Sequence, residues 1–127
     1  MRVSRLDHLV LTVVDLEATV DFYTRVLGMA VRAFDGGRLA LRFGDQKINL
    51  HEAGHELALR ARLATPGSAD LCFVVEDPID GWLEHLAEVG VPVVAGPVPQ
   101  TGALGPMTSV YFRDPDGNLV EIASYAG

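Results

Sequence analysis

Residues 51–55 read His-Glu-Ala-Gly-His, the H-E-x-x-H spacing in which two imidazoles one helical turn apart hold zinc and the glutamate acts as base. That chemistry needs a helix, because residues four apart share a helical face but are spread out along a strand. Upstream, "INLHE" alternates Ile48 and Leu50 against Asn49 and His51, the pattern of a half-buried strand. Downstream, Leu57, Leu59, Ala61 and Leu63 recur every second residue, and Gly54 inside a helix would cost about 1 kcal/mol relative to alanine. The peptidase reading is therefore set aside. His51 stays a candidate ligand and His55 does not.

Other residues with ligand chemistry fall into place through an internal repeat. "RLDHLVLTV" (5–13) predicts a strand, and Asp15 caps "LEATVDFYTRVLG", whose Leu16, Val20, Tyr23 and Leu27 have helical spacing before Gly28. "MAVRAF", "RLALRF" and "KINLHE" predict three strands. After a connector at 54–68 the order begins again. "ADLCFVVE" predicts a strand and "PIDGWLEHLAEVG" a helix, with Trp82, Leu83, Leu86 and Val89 on its apolar side. "VPVVAGPV", "MTSVYF" and "NLVEIAS" predict the last strands, with "RDPDGN" as a hairpin turn. The expected fold is α+β: one domain over 1–127, built from two tandem βαβββ modules (4–53 and 69–125) that form a cupped mixed sheet with helices on the outer face.

Superposing the halves sets His8 on Asp70 and His51 on Glu121. Alternation turns His8, Val10 and Thr12 away from the helix that covers Leu9, Leu11 and Val13, and it does the same for Asp70, His51 and Glu121. If each module forms half a cup, two imidazoles and two carboxylates converge, which is a metal site. An ionised carboxylate at 121, within an otherwise apolar strand, is costly without a partner. Mixed nitrogen and oxygen donors suit Zn, Ni, Mn, Co or Fe(II). Arg42, Asn49, Tyr111 and Arg113 are candidates for substrate contact. Asp7, Asp114 and Asp116 read as turn or strand-end residues, His85 as a solvated helix position, and Phe22, Tyr23 and Trp82 as core.

Composition narrows the function classes. With 127 residues and 49% hydrophobic content the chain can bury a core. A net charge of −7 without a Lys/Arg cluster in the sequence argues against a nucleic-acid surface. Cys72, the single cysteine, sits in an apolar run and reads as a buried, inert thiol. No long apolar span or signal-peptide pattern is present, so the expected setting is cytoplasmic, with a small-molecule substrate and no membrane partner. Open sheet edges predict a homodimer.

"LDHLVLTVVDLEATVDFYTRVLGM", "QKINLHEAG", "TPGSADLCF" and "RDPDGNLVEI" resemble the vicinal oxygen chelate superfamily of glyoxalases, bleomycin-resistance proteins and extradiol dioxygenases, over essentially the whole chain. Within it the chain is most similar to lactoylglutathione-lyase-like members. The resemblance implies a divalent metal held by His8, His51, Asp70 and Glu121. It also implies proton transfer next to a carbonyl by Glu121, with Asp70 as the lesser candidate base. Family lyases carry a carboxylate at the position assigned to His51 and a histidine at that of Asp70, so the two residue types are exchanged here. A ring-cleaving Fe(II) dioxygenase and a metal-free protein that binds an antibiotic or aromatic compound are the alternatives.

Overall fold

The computed structural model describes residues 1–126; Gly127, the expected end of the domain, lies outside them. The chain divides into two compact units, Met1–Pro66 and Gly67–Gly127. The first contains β1 (His8–Val13), α1 (Leu16–Arg25), β2 (Ala30–Phe34), β3 (Arg38–Phe43) and β4 (Gln46–Glu52). The second contains β5 (Asp70–Val74), α2 (Ile79–Glu88), β6 (Ala95–Gly102), β7 (Gly105–Arg113) and β8 (Leu119–Ser124). The sheet orders are β1-β4-β3-β2 and β5-β8-β7-β6. In each sheet the first strand lies parallel to the last of its own module, and the other pairs are antiparallel. The fold is therefore α+β, with two βαβββ modules in tandem.

Each module is held together by the apolar face of its sheet. In the first, Leu11, Val13, Leu41, Ile48 and Leu50 are buried together with Phe22, Tyr23 and Val26, and α1 packs on β2, β3 and β4. Asp15 starts that helix by accepting from Ala18 N at 3.1 Å, and Gly28, with φ +69°, takes the left-handed turn beyond its end. In the second module Val110, Phe112, Val120 and Ile122 are fully buried, and α2 packs on β7. Ile79 and Leu86 are the buried residues of α2, while Trp82, Leu83 and Val89 are only half-buried. Trp82 is thus less of a core residue than its spacing predicts. His85 is half-buried as well and meets the Trp82 ring edge-on, with centroids 5.4 Å apart.

The largest departures from the expected strand boundaries are at β1 and β6. β1 begins at His8 rather than at residue 5; ahead of it, the Gln46 side chain donates to the Leu6 carbonyl at 2.9 Å. β6 runs over 95–102 instead of 91–98, because its Pro and Gly residues are accommodated on an edge strand with a bulge between Ala95 and Val98. The His51–His55 stretch leaves β4 at Glu52 and enters a turn, with His55 N donating to Glu52 O at 2.9 Å and Gly54 at φ +87°. No helix forms there, which removes the peptidase geometry. Among the described residues no helix is long and apolar enough to cross a membrane.

The turn between β7 and β8 locks the second module. Buried Asp114 accepts from Asp116 N at 3.0 Å and from Asn118 N at 2.9 Å, and its other oxygen accepts from Asn118 Nδ2 at 2.8 Å. Asn118 Oδ1 in turn accepts from Ala69 N at 2.9 Å, just ahead of β5. Nearby, Gly67 has φ +76°, and a Cβ there would lie 2.5 Å from the Asp116 carbonyl oxygen. Asn118→Ala removes two side-chain hydrogen bonds, one of them buried and to a carboxylate. It is expected to cost about 2–3 kcal/mol and to lower Tm by roughly 10 °C in a calorimetric scan; an unchanged Tm would show that the lock contributes nothing.

Candidate functional site

The face of the first sheet that points away from α1 is set by register. His8 stands opposite Lys47, Val10 opposite Asn49 and Thr12 opposite His51. Across the next pair, Lys47 faces Arg42 and Asn49 faces Ala40; beyond that, Arg42 faces Ala30, Ala40 faces Arg32 and Arg38 faces Phe34. His51 and Asn49 are 6% and 4% exposed. Both imidazole nitrogens of His51 and the side-chain oxygen of Asn49 are buried without a hydrogen-bond partner. His8 is exposed at the start of β1, and its Nδ1 donates to Asp7 Oδ1 at 2.8 Å. That bond, more than any other influence, holds the Asp7 carboxyl below the usual range. A carboxylate on Nδ1 orients the ring and leaves Nε2 for a ligand, the usual arrangement behind a metal-bound histidine. Asp7 is a strand-end residue, as expected, and it also accepts this bond from His8.

In the second module one rank crosses three strands: Cys72 on β5 faces Glu121 on β8, which faces Tyr111 on β7. Glu121 is 8% exposed, and its Oε2 is buried without a partner. Asp70 lies two residues before Cys72 and is exposed. Cys72 is exposed rather than buried, because alternation puts it on the face that no helix covers. Its thiol is nevertheless pushed up to about 11, by partial desolvation first and then by the negative charge and hydrogen bonding of Glu121. The Tyr111 hydroxyl is raised for the same reasons in the same order. Both groups hold their protons at neutral pH, and Cys72 is inert chiefly through desolvation, with the Glu121 charge adding to it.

The registers correct the superposition of the halves. Glu121 faces the residue two beyond Asp70; the corresponding residue in the first module, two beyond His8, is Val10, which faces Asn49. Asn49, not His51, is the counterpart of Glu121. His8 and His51 are consequently four residues apart along the parallel pair, about 13 Å, too far for two imidazoles of one sheet to share an ion through bonds of about 2 Å. Asp70 and Glu121 are offset by only two residues, within reach of a common ion. Among the described residues no three His, Cys, Asp or Glu side chains gather where they could hold a metal ion. Sequence reasoning also missed Arg38 and Lys47, although alternation in "RLALRF" already places Arg38 beside Arg42.

The Cys72 thiol reports the charge on Glu121. Removing that charge lowers the thiol pKa, so Glu121→Gln is expected to be alkylated by iodoacetamide several-fold faster than wild type at pH 8.5. Equal rates would mean that Glu121 does not bear on Cys72.

The Glyoxalase/Bleomycin resistance protein/Dioxygenase superfamily model matches residues 5–122. Glyoxalase domain-containing protein RDO1 of Mycosarcoma maydis is 55% identical over 98% of this chain and 70% of its own length. The integron cassette protein VCH_CASS1 from the mobile metagenome of V. cholerae is 51% identical, with a TM-score of 0.97 over 98% of each chain. At 25% identity the same fold serves two differently named proteins. One is a lactoylglutathione lyase from Agrobacterium tumefaciens (TM-score 0.75, 98% of this chain and 96% of that one). The other is TnmS3, an antibiotic binding protein from Streptomyces sp. CB03234 (TM-score 0.76, 98% of each). With its duplicated βαβββ architecture and a family match that spans both modules, the chain belongs to the glyoxalase/bleomycin resistance protein/dioxygenase superfamily.

Proposed function

We propose that this chain is a metal-dependent lyase or isomerase of the lactoylglutathione-lyase-like kind, acting on a small substrate with two neighbouring oxygens. The observation that carries the reading is the buried, unpartnered Oε2 of Glu121, since a desolvated carboxylate oxygen without a donor is costly unless a cation or a substrate proton meets it. The donor chemistry suits a divalent ion: in the first module His8, with its Nδ1 engaged by Asp7, offers Nε2, and in the second Asp70 and Glu121, offset by two residues in register, offer carboxylates. His51, also proposed as a ligand, stands four residues from His8 in the register of its sheet, so the two do not share an ion within it. A ring-cleaving Fe(II) dioxygenase, which would draw on both histidines, is the less favoured reading because His8 and His51 lie four residues apart in register. When bound, the metal would supply a Lewis acid for the charge that develops on the substrate oxygens.

The protein's own groups do the proton work. Glu121 removes the proton next to the carbonyl through its free oxygen and returns it to the neighbouring carbon. Tyr111, kept protonated beside it, donates to the carboxylate or to a substrate oxygen. A second reading, a metal-free binding protein, is favoured by the register of module one, which supplies one ligand rather than two.

Metal titration separates the readings. Ni, Zn, Mn or Co added to chelator-stripped protein is expected to raise Tm by several degrees, as binding only to the native state adds about 3 kcal/mol at a hundredfold excess over Kd. Glu121→Gln and His8→Ala should lose the shift while His55→Ala keeps it. An unchanged wild-type midpoint with every metal would leave the binding protein as the better account. We also propose a homodimer, on the strength of edge strands whose Val10, Val31 and Val74 side chains are exposed; a monomer mass by light scattering at micromolar concentration would refute it.

A further inference from the structure

The sheet face of the first module is basic in an acidic chain. Arg32, Arg38, Arg42 and Lys47 stand on it by register, four of the chain's ten Lys and Arg residues against seventeen Asp and Glu. No acid stands on the face within the four strands, whose remaining positions are His8, Val10, Thr12, Ala30, Phe34, Ala40, Asn49 and His51; Asp7 and Asp45 beside Lys47, and Glu56 near His51, approach it from its margins. Among the described residues none of the four cations forms an ion pair. Two of them converge instead on one aromatic ring, with Lys47 Nζ 3.9 Å and the Arg38 guanidinium 4.6 Å from the Phe34 centroid. Arg38 Nε and both His51 nitrogens are buried and unpartnered, and the β3–β4 register, continued by one residue beyond Leu39 and Leu50, brings Arg38 beside His51. Like charges gathered around unused donors are unfavourable until an anion joins them.

We infer that this face is an oxyanion subsite, built by Arg38 and His51 with Lys47 at its mouth, to take the carboxylate, phosphate or phosphonate group of a small acid. Arg38 supplies the guanidinium donors, which suit a planar or tetrahedral oxyanion. His51 supplies one N–H when neutral and two when protonated. The Asn49 oxygen on the same face accepts a hydroxyl of the ligand. Lys47 connects the Phe34 rank to an open cleft lined by Asp7, Arg42, Asp45, Gln46 and Lys47, which is the way in. Arg32 and Arg42, both exposed, add attraction at longer range. The inference deepens the proposed function by giving its substrate an acidic group. It shares with that reading only the small-molecule ligand and does not depend on metal.

The test therefore uses metal-stripped protein dialysed free of chelator, titrated with inorganic phosphate, with acetate and with neutral glycerol as control. Imidazole and arginine side-chain resonances are followed by NMR. Saturable shifts of the His51 ring and of Arg38 Nε are expected with phosphate and acetate and not with glycerol. Phosphate affinity should fall about tenfold in Arg38→Gln and partly recover in Arg38→Lys. It should fall less in Arg42→Gln, an exposed position that leaves folding intact, and stay unchanged in Arg113→Gln on the other module. If metal raises Tm but neither anion binds saturably, the subsite fails and the metal reading stands; if phosphate binds and no metal does, the reverse holds. If no anion binds and Arg38→Gln dissociates a dimer, a carboxylate of a second copy occupies the face, which overturns the inference.

Discussion

Parallel pairing of the first and last strands within each module is the constraint from which the site follows. A parallel neighbour cannot be reached by a tight turn, so the chain must cross over through a helix and two further strands before β4 can lie beside β1, or β8 beside β5. The crossover helix covers one face of the sheet and buries its apolar side chains. The opposite face keeps the polar ones: Asn49 and His51 in one module, Cys72, Glu121 and Tyr111 in the other. Register then decides which of these side chains meet. Cys72, Glu121 and Tyr111 form one rank because three strands bring their residues level, not because anything in their spacing along the chain anticipates it.

This explains both what could be read from the sequence and where reading fell short. The six residues of "RLALRF" became β3 without change, and Asp15 caps α1, because alternation and capping are local signals. The superposition of His51 on Glu121 was displaced by two residues, the one small error that strand periodicity does not penalise: a slip of one would turn an apolar side chain outward, whereas a slip of two keeps every side chain on its proper face. Longitudinal register depends on pairing with a distant strand and is invisible in a single stretch. β6 was misplaced for a related reason. "VPVV" has the composition of a strand, but the strand that forms carries two prolines and a bulge tolerable only at an edge. Cys72 lies on the face that alternation gives it, yet its apolar neighbours in the sequence suggested burial.

The two modules share one plan and differ in charge. Where the second has Glu121, the first has Asn49, an amide one methylene shorter and with no charge to neutralise. Around that amide the first module gathers cations, while the second surrounds its carboxylate with a thiol and a phenol that both hold their protons. Neither arrangement is economical for stability, since unpartnered buried polar atoms cost free energy. Most of them lie on the helix-free face of each sheet, Trp82 Nε1 on α2 being an exception, which largely separates the work of folding from the work of binding.

The hydrogen bond from Ala69 to Asn118 has a consequence for how the molecule is made. It joins residues 49 positions apart, so β5, synthesised early in its module, has no strand to lie against until β8 has been added. The first module closes earlier, when β4 meets β1. During synthesis a finished first half therefore carries an unfinished second, whose leading strand is an open edge until the chain extends past residue 118. Interrupting translation anywhere in that interval leaves a folded module attached to a strand able to pair with a neighbour, and crowded ribosomes would feel that hazard first.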